Sequence, residues 1–476
     1  MEKCTKYNKF SDKAEEFIAD EEIVQTLQFA EEHKNDAGLI EDILQKAEEM
    51  QGLSHREACV LLDCEIEEYN ARIFQLAEEI KQKFYGNRIV LFAPLYLSNY
   101  CVNGCVYCPY HAKNKHIPRL KMTQSEIAEQ VRALQDMGHK RLAVEAGEDP
   151  KHNPIEYILE SIDTIYGIKH KNGAIRRVNV NIAATSVENY RKLHKAGIGT
   201  YILFQETYDK RNYESLHPSG PKSDYAYHTE AFDRAMRAGI DDVGLGVLFG
   251  LSTYRYEFAG LLMHAEHLEA KFGVGPHTIS FPRIKRADDI DPTAFSNAIS
   301  DDTFAKIIAC TRIAVPYTGM IISTRESKAV REKVIRYGIS QISGGSKTTV
   351  GGYETNAADN GSAQFEVSDN RSLDEVVRWL MELGYVPSFC TACYRAGRTG
   401  DRFMEFCKSQ QILNFCHPNA LMTLKEYLED YATAETKKAG DALIRANIAQ
   451  IPRGNVRLVC ERYLHEIEQG ARDFRF

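Results

Sequence analysis

Between Arg88 and Ser343 eight short apolar runs alternate with seven helical patterns. The apolar runs are Arg88–Leu97, Arg141–Ala146, Arg177–Ile182, Thr200–Gln205, Asp242–Phe249, His277–Pro282, Gly319–Thr324 and Ile339–Ser343. Apolar runs of this kind read as strands buried on both faces, as in a parallel sheet covered by helices. Helical patterns lie between them over Ser125–Met137, Ile155–Tyr166, Val187–Ala196, Tyr225–Ala238, Tyr256–Phe272, Asp302–Val315 and Lys328–Tyr337, and Leu373–Leu383 follows the eighth run. Gly138, Gly167, Gly197, Gly239, Gly273, Gly338 and Gly384 stand after these patterns, where a left-handed residue ends a helix. Eight βα units over residues 88–384 predict an α/β fold of the (β/α)8 TIM-barrel class. A doubly wound open sheet is the alternative, because closure is not written in a sequence; the regular repeat favours the barrel.

Helical additions flank the repeats. Residues 1–87 are rich in Glu and Lys, with apolar residues at helical spacing over Ile23–Met50 and Ser54–Phe84. Ser54 stands three residues before Glu57, a capping-box start. An amphipathic helical extension without catalytic groups is expected there. Residues 385–476 open with a cysteine cluster and turn helical through Leu424–Ala434, Asp441–Gln450 and Val456–Glu468, predicting a mainly helical C-terminal domain packed on the barrel.

The twelve cysteines are the unusual part of the composition. With 59 Lys and Arg against 67 Asp and Glu, the 476-residue chain carries a net charge of −8, which argues against nucleic-acid binding. Met1–Asp20 is charged throughout, and no run of about 18 apolar residues occurs. Neither a secretory signal nor a membrane span is expected, and the predicted location is cytoplasmic. Thiols stay reduced there, so the cysteines are core thiols or metal ligands.

The first strand runs into Ser98-Asn99-Tyr100-Cys101-Val102-Asn103-Gly104-Cys105-Val106-Tyr107-Cys108. In a barrel this loop lies at the C-terminal face, where active sites sit. Three thiols on one short loop can converge on a metal centre. On a four-iron cubane they leave one iron without a protein ligand, open to a chelating small molecule. Structural zinc, which needs a fourth ligand such as His111, and unligated loop thiols compete with that reading.

Cys101-x3-Cys105-x-Tyr107-Cys108, with an aromatic residue before the last cysteine, resembles the signature of the radical S-adenosylmethionine (SAM) superfamily. The resemblance implies a [4Fe-4S] cluster on Cys101, Cys105 and Cys108, whose free iron binds the amino and carboxylate groups of SAM. One-electron reduction then cleaves SAM to methionine and a 5′-deoxyadenosyl radical. Ala146-Gly147-Glu148 resembles the superfamily's glycine-rich stretch at the SAM amino group. Ala146 replaces its first glycine, so only Gly147 and Glu148 are carried over as cofactor-binding, with Tyr107 beside the cysteines. Asp241–Leu251 resembles the fifth-strand glycine motif beside adenine, although a packed strand edge accounts for it equally.

Cys390-Thr391-Ala392-Cys393 is followed by Cys416 after 22 residues, with Cys407 in the interval. Alone, the pattern suits zinc, a redox pair or a second iron–sulfur site; the thioredoxin-like setting of a redox pair is missing. Together with the first triplet, and with Gly384–Arg395 and Gly397–Met404 around it, it resembles the tyrosine lyases that mature [FeFe]-hydrogenase, over nearly the whole chain. Thiazole-pathway tyrosine lyases (2-iminoacetate synthases) share the barrel and first loop but lack this C-terminal set.

The resemblance implies cleavage of the tyrosine Cα–Cβ bond to p-cresol and dehydroglycine. It then implies formation of CO and cyanide at an auxiliary iron–sulfur cluster with a labile iron, held by Cys390, Cys393 and Cys416. The product is an iron–carbonyl–cyanide unit for the hydrogenase. The implied partners are L-tyrosine, a reductant such as flavodoxin or ferredoxin, and hydrogenase maturation scaffold proteins. The alternatives are a thiazole-pathway lyase and a non-catalytic iron–sulfur scaffold.

Position in the barrel adds further candidates. His277 opens the sixth strand, at the end of the bore opposite the first loop, and is expected to ligate the labile iron; His264 and His267 on the preceding helix are the alternatives. Arg325, in Ser323-Thr324-Arg325-Glu326 after the seventh strand, has the forked guanidinium that suits a substrate carboxylate. Ser323 stands beside it, and a simple pair with Glu326 is the competing role. Gln205 and Glu206 end the fourth strand at the same face and are expected to meet the substrate amine or SAM. Gly344–Thr349 lacks the glycine that precedes the lysine of a phosphate loop, and His264-Ala265-Glu266-His267 lacks the spacing of a zinc-protease helix. Cys59, Cys64, Cys310 and Cys460 are expected to be buried thiols, Cys4 a tail thiol and Cys407 a bystander.

Overall fold

A computed structural model describes residues 6–354, 361–400, 402, 405–406, 412–451 and 454–476; Cys4 and Cys407 lie outside them. The eight apolar runs form parallel strands: β1 (Arg88–Ser98), β2 (Arg141–Ala146), β3 (Arg177–Asn181), β4 (Tyr201–Ile202), β5 (Val243–Gly246), β6 (Thr278–Ser280), β7 (Gly319–Ile322) and β8 (Gln341–Ser343). Each pairs with the next, and β8 returns to β1 with Val90 opposite Gln341. The sheet is closed, and the fold is a (β/α)8 TIM-type barrel.

β1 and β2 fill their apolar runs, and the other six strands are shorter than theirs. β4 pairs over Tyr201 and Ile202 only, although the run continues to Gln205. Beyond it the Leu203 and Gln205 N–H groups still bond the Gly244 and Gly246 carbonyls of β5, at 3.1 and 2.9 Å, while Leu203 and Phe204 also line internal cavities.

A ninth strand, β9 (Val386–Ser388), pairs with Arg88–Val90 at the start of β1. β2 pairs with β1 only from Ala93 onward, so the lower end of that edge is vacant and β9 fills it. The chain after helix Leu373–Glu382 therefore returns to the barrel sheet before entering helices Ile412–Asp430, Ala434–Gln450 and Asn455–Glu468.

The glycine stops hold with two exceptions. Gly138, Gly197, Gly239, Gly273 and Gly384 have positive φ after their helices, whereas Gly167 is the last residue of its own helix and Gly338 is extended, with φ −175°. The pattern over Tyr225–Ala238 is two helices, Tyr225–Thr229 and Ala231–Arg237. Helix Lys210–Leu216, between β4 and that pair, is not announced by the sequence pattern.

Each long N-terminal stretch is also two helices: Asp20–His33 with Ala37–Glu48, and His55–Asp63 with Glu67–Tyr85. The capping box of Ser54 and Glu57 starts the third of these four. They wrap the barrel helices Tyr254–Phe272 and Asp301–Ala314. His55, buried at this seam, bonds Glu22 of the extension at 2.9 Å and Glu266 of the barrel at 3.0 Å. Among the described residues no helix is long and apolar enough to cross a membrane.

Candidate active site and a second cysteine site

The cysteine loop after β1 is built around a guanidinium. Arg119 donates to the carbonyls of Asn99, Tyr110, His111 and Asn114 at 2.7–3.1 Å, and the Asn99 side chain bonds both Leu120 N–H and the Pro118 carbonyl at 2.7 Å. The loop rests on the segment after helix Lys210–Leu216: Gly104 N–H reaches Ser219 O at 2.9 Å and Val106 N–H reaches Leu216 O at 3.0 Å. Tyr107 is pinned beneath it. His217 uses Nδ1–H on the Tyr213 carbonyl (2.7 Å), which leaves Nε2 to accept from the Tyr107 hydroxyl (2.7 Å). Burial holds His217 down to about 3, so the ring is neutral as this arrangement requires.

Cys101, Cys105 and Cys108 line one cavity of about 1090 Å³, counting its open side, with Gly147, Glu148, Glu206, Lys222 and Arg325. Burial pushes the Cys105 thiol up to about 11 and raises Cys101 and Cys108 as well. Such thiols stay protonated until a metal replaces the proton. His111, the candidate fourth ligand for zinc, turns instead to Asp289 at 3.1 Å and does not line the cavity. Among the described residues no three His, Cys, Asp or Glu side chains close on one point as ligands of a single ion do. What the triplet shares is a cavity wall. Three sulfur donors on one braced loop fit a cluster with one iron left open to a small molecule.

The end of β2 meets this loop at Gly147. A Cβ there would lie 2.4 Å from the Tyr100 carbonyl oxygen, so only glycine permits the approach. Glu148 ties the same junction, accepting from Asn103 Nδ2 at 2.6 Å and, through its carbonyl, from Val102 N–H at 2.8 Å.

Opposite, Glu206 sits in the left-handed region, with φ 66°, and pairs with Lys222 at 2.8 Å. A non-glycine residue held there stores backbone strain, a frequent mark of functional sites. Gln205 does not share this position. Its amide donates to Thr229 at 2.8 Å, and it is absent from the cavity lining, because one step along a strand end reverses the side chain. Arg325 lies over the Phe365 ring at 3.7 Å and makes no ion pair among the described residues; Glu326, the alternative partner, is taken by Arg283. Ser323 accepts from Arg325 N–H at 3.2 Å and lines a deeper cavity of about 810 Å³, not the upper one.

That deeper cavity joins the two ends of the bore. It shares Tyr96, Glu145, Asn181 and Arg325 with the upper cavity and Gln341 with a lower one of about 610 Å³. Burial raises the Glu145 carboxyl to about 8, so it stands neutral inside the bore near pH 7.

Cys390, Cys393, Cys416 and His277 line the lower cavity. Cys390 follows β9, and Cys416 comes from helix Ile412–Asp430. Cys416 is held below the ordinary thiol range, first by its hydrogen bond with Cys393 and then by Arg88 and Arg398, against the cost of burial. His277 sits 3.3 Å from Asp242, which also binds Arg177 at 3.1 Å. Burial keeps the imidazole down at about 4, in the neutral form that ligates metals. His264 and His267 are elsewhere: His264 bonds the Tyr208 hydroxyl, and His267 bonds Asp233 and stacks on Phe17 of the N-terminal extension. The thiols and imidazole share this cavity wall and by their chemistry fit a second metal centre.

Arg88, Arg141, Arg177 and Arg398 also line the lower cavity. The first three each open a strand, β1, β2 and β3. A buried cation at the same place in successive strands is a signal that sequence reasoning could have used. Lys222, His217, Arg119 and Glu145 carry no comparable signal.

Residues 95–258 match the Radical SAM superfamily, and residues 280–386 match the Biotin and Thiamin Synthesis associated domain. A crystal structure of HydG, a maturase of the [FeFe]-hydrogenase, superposes with a TM-score of 0.93 at 56% identity, covering 97% of this chain and 100% of that one. The chain belongs to the HydG family of radical SAM enzymes. The HydG of Carboxydothermus hydrogenoformans is similar at 38% identity and TM-score 0.82, over 95% of this chain and 99% of that one. The 2-iminoacetate synthase of Escherichia coli (strain K12) is 28% identical over 337 residues, 70% of this chain and 86% of its own length. As a HydG-family chain it carries its first triplet inside the Radical SAM match, while Cys390, Cys393 and Cys416 lie beyond both matched segments.

Proposed function

We propose that this protein is a cytoplasmic radical SAM tyrosine lyase. It cleaves the Cα–Cβ bond of L-tyrosine to p-cresol and dehydroglycine, and converts dehydroglycine to CO and cyanide at a second iron–sulfur site. The resulting Fe(CO)(CN) unit goes to [FeFe]-hydrogenase maturation. The observation that carries the reading is the pair of thiol triplets lining cavities at the two ends of one bore, with a third cavity between that shares walls with both. Residues 88–384 form the catalytic barrel in this reading, with 1–87 as a helical extension and 385–476 as the domain of the second cluster.

A [4Fe-4S] cluster on Cys101, Cys105 and Cys108 with SAM would supply a 5′-deoxyadenosyl radical. The chain's own groups bind and orient. The Gly147–Glu148 backbone receives the SAM amino group, Tyr107 anchors the loop, and Arg325 takes the tyrosine carboxylate with both arms of its fork. Glu206, fixed by Lys222, faces the amine side. Burial of the pair keeps water from the reacting centre. Cys390, Cys393, Cys416 and His277 would hold the auxiliary cluster and its labile iron. A flavodoxin or ferredoxin supplies electrons, and a maturation scaffold protein receives the product.

The test is an anaerobic assay with tyrosine and SAM, scoring p-cresol and CO together. Both products support the reading. p-Cresol without CO would favour a 2-iminoacetate synthase, the activity of the Escherichia coli relative. No SAM cleavage would leave a non-catalytic iron–sulfur scaffold.

A further inference from the structure

The lower cavity and an open cleft on the outside of the barrel share two residues, Tyr85 and Arg88. The cleft measures about 1410 Å³, counting its open side, and Asn87, Asn414 and His417 are among its walls. It lies where helix Glu67–Tyr85, the start of β1 and helix Ile412–Asp430 meet. Tyr85 is 6% exposed and Arg88 7%. Among the described residues, Tyr85 and Arg88 thus stand between the second cysteine site and the cleft, each facing both. The Tyr85 hydroxyl donates to the Tyr317 carbonyl at 2.6 Å, and Arg88 and Arg312 lie beside its ring at 5.8 and 4.9 Å.

The other way out of the lower cavity runs up the bore through Gln341, past Glu145 and Arg325, into the first site. Substrate and SAM occupy that route during turnover. The lining of the lower cavity also selects what would pass the partition. Arg88 faces both compartments, and its Nε–H has no hydrogen-bond partner among the described residues. Arg141 and Arg398 face the lower cavity with Nε–H groups in the same condition. Donors of this kind favour an anion, whereas a neutral diatomic gas gains little from them.

We propose that Tyr85 and Arg88 form the exit of the second site, through which a small anionic iron-bearing product leaves for the cleft. The proposal rests on the reading of Cys390, Cys393 and Cys416 as metal ligands. Tyr85 is the last residue of helix Glu67–Tyr85 and no part of the barrel ladder, so its side chain opens by swinging into the cleft without disturbing the strands.

The experiment follows iron loss from the reconstituted holoprotein in the presence of an anionic ferrous chelator, with the two clusters distinguished by their EPR signals. Tyr85→Ala is expected to speed loss from the second site severalfold and leave the first unchanged. Tyr85→Phe, which keeps the ring but loses the bond to Tyr317, should lie between. Asn414→Trp, filling the cleft from outside, should slow the loss. An unchanged rate in Tyr85→Ala, or equal acceleration at both clusters, would overturn the exit. Iron confined to the first cluster in the wild-type holoprotein would overturn the reading of the second triplet, and the exit with it.

Discussion

Gly147 and Tyr100 stand so close that a Cβ on the glycine would lie 2.4 Å from the tyrosine carbonyl oxygen. The contact joins the end of β2 to the loop that carries Cys101, and nothing flexible separates the two. Gly147→Ala should therefore displace the loop backbone. The expected outcome is a folded protein with reduced iron at the first site, measured by iron content and by the cluster's charge-transfer absorbance. Normal loading in this variant would show that the loop tolerates the shift.

The two triplets should separate the two stages. Cys101→Ala should abolish p-cresol, whereas Cys390→Ala should leave p-cresol and stop CO. A Cys390 variant with normal CO would remove the second site from the chemistry.

Arg325 lines the upper cavity and has no ion-pair partner among the described residues, its guanidinium bonding only the Arg283 carbonyl there, at 3.4 Å. A charge-assisted hydrogen bond contributes about 1.5–3 kcal/mol, so Arg325→Ala should weaken tyrosine binding by about tenfold or more. Arg325→Lys keeps the charge and loses the fork, and should recover only part of the affinity. Equilibrium binding of tyrosine in the presence of SAM gives the comparison.

Lys222 and Glu206 form a largely enclosed ion pair, 15% and 11% exposed. Removing one partner leaves the other charge buried, which costs about 3 kcal/mol. Lys222→Met should lower the denaturation midpoint by that scale, and Lys222→Met with Glu206→Gln should restore much of it. Equal losses in the single and double variants would mean that the pair contributes little.

His55 makes the N-terminal seam sensitive to alkali. Burial alone would lower it, but its bonds to Glu22 and Glu266 outweigh burial and raise it to about 9. A raised histidine contributes stability that is fully present below its unfolded value near 6.5 and is lost as pH rises through 9. The rise corresponds to about 3 kcal/mol at most. Denaturation midpoints should fall between pH 6.5 and 9 in the wild type and change less in His55→Gln.

The barrel and the cysteine triplets are legible in the sequence because each is a local pattern: strand, helix and glycine stop in one case, three thiols within a few residues in the other. His277 follows from its place at a strand start. Gln205 turns away from the upper cavity for the same reason that Glu206 faces it, since neighbours at a strand end point to opposite sides. Lys222, His217 and Arg119 reach the site only once the barrel has closed and brought the segment after Leu216 beneath the cysteine loop. Their neighbours in sequence carry no trace of that.

β1 pairs with β9 at Val90 and Ser388 and runs on to Ser98, its last residue. Cys390 lies two residues beyond the first of these points and Cys101 three beyond the second. The interval from Val90 to Ser98, 98 − 90, is eight residue steps, roughly 26 Å at about 3.3 Å each. One strand thus acts as a ruler between the two cysteine sites. Insertions in the outer loops or helices cannot alter that spacing, whereas an added residue in β1 would change the gap and also turn the strand's inward side chains outward.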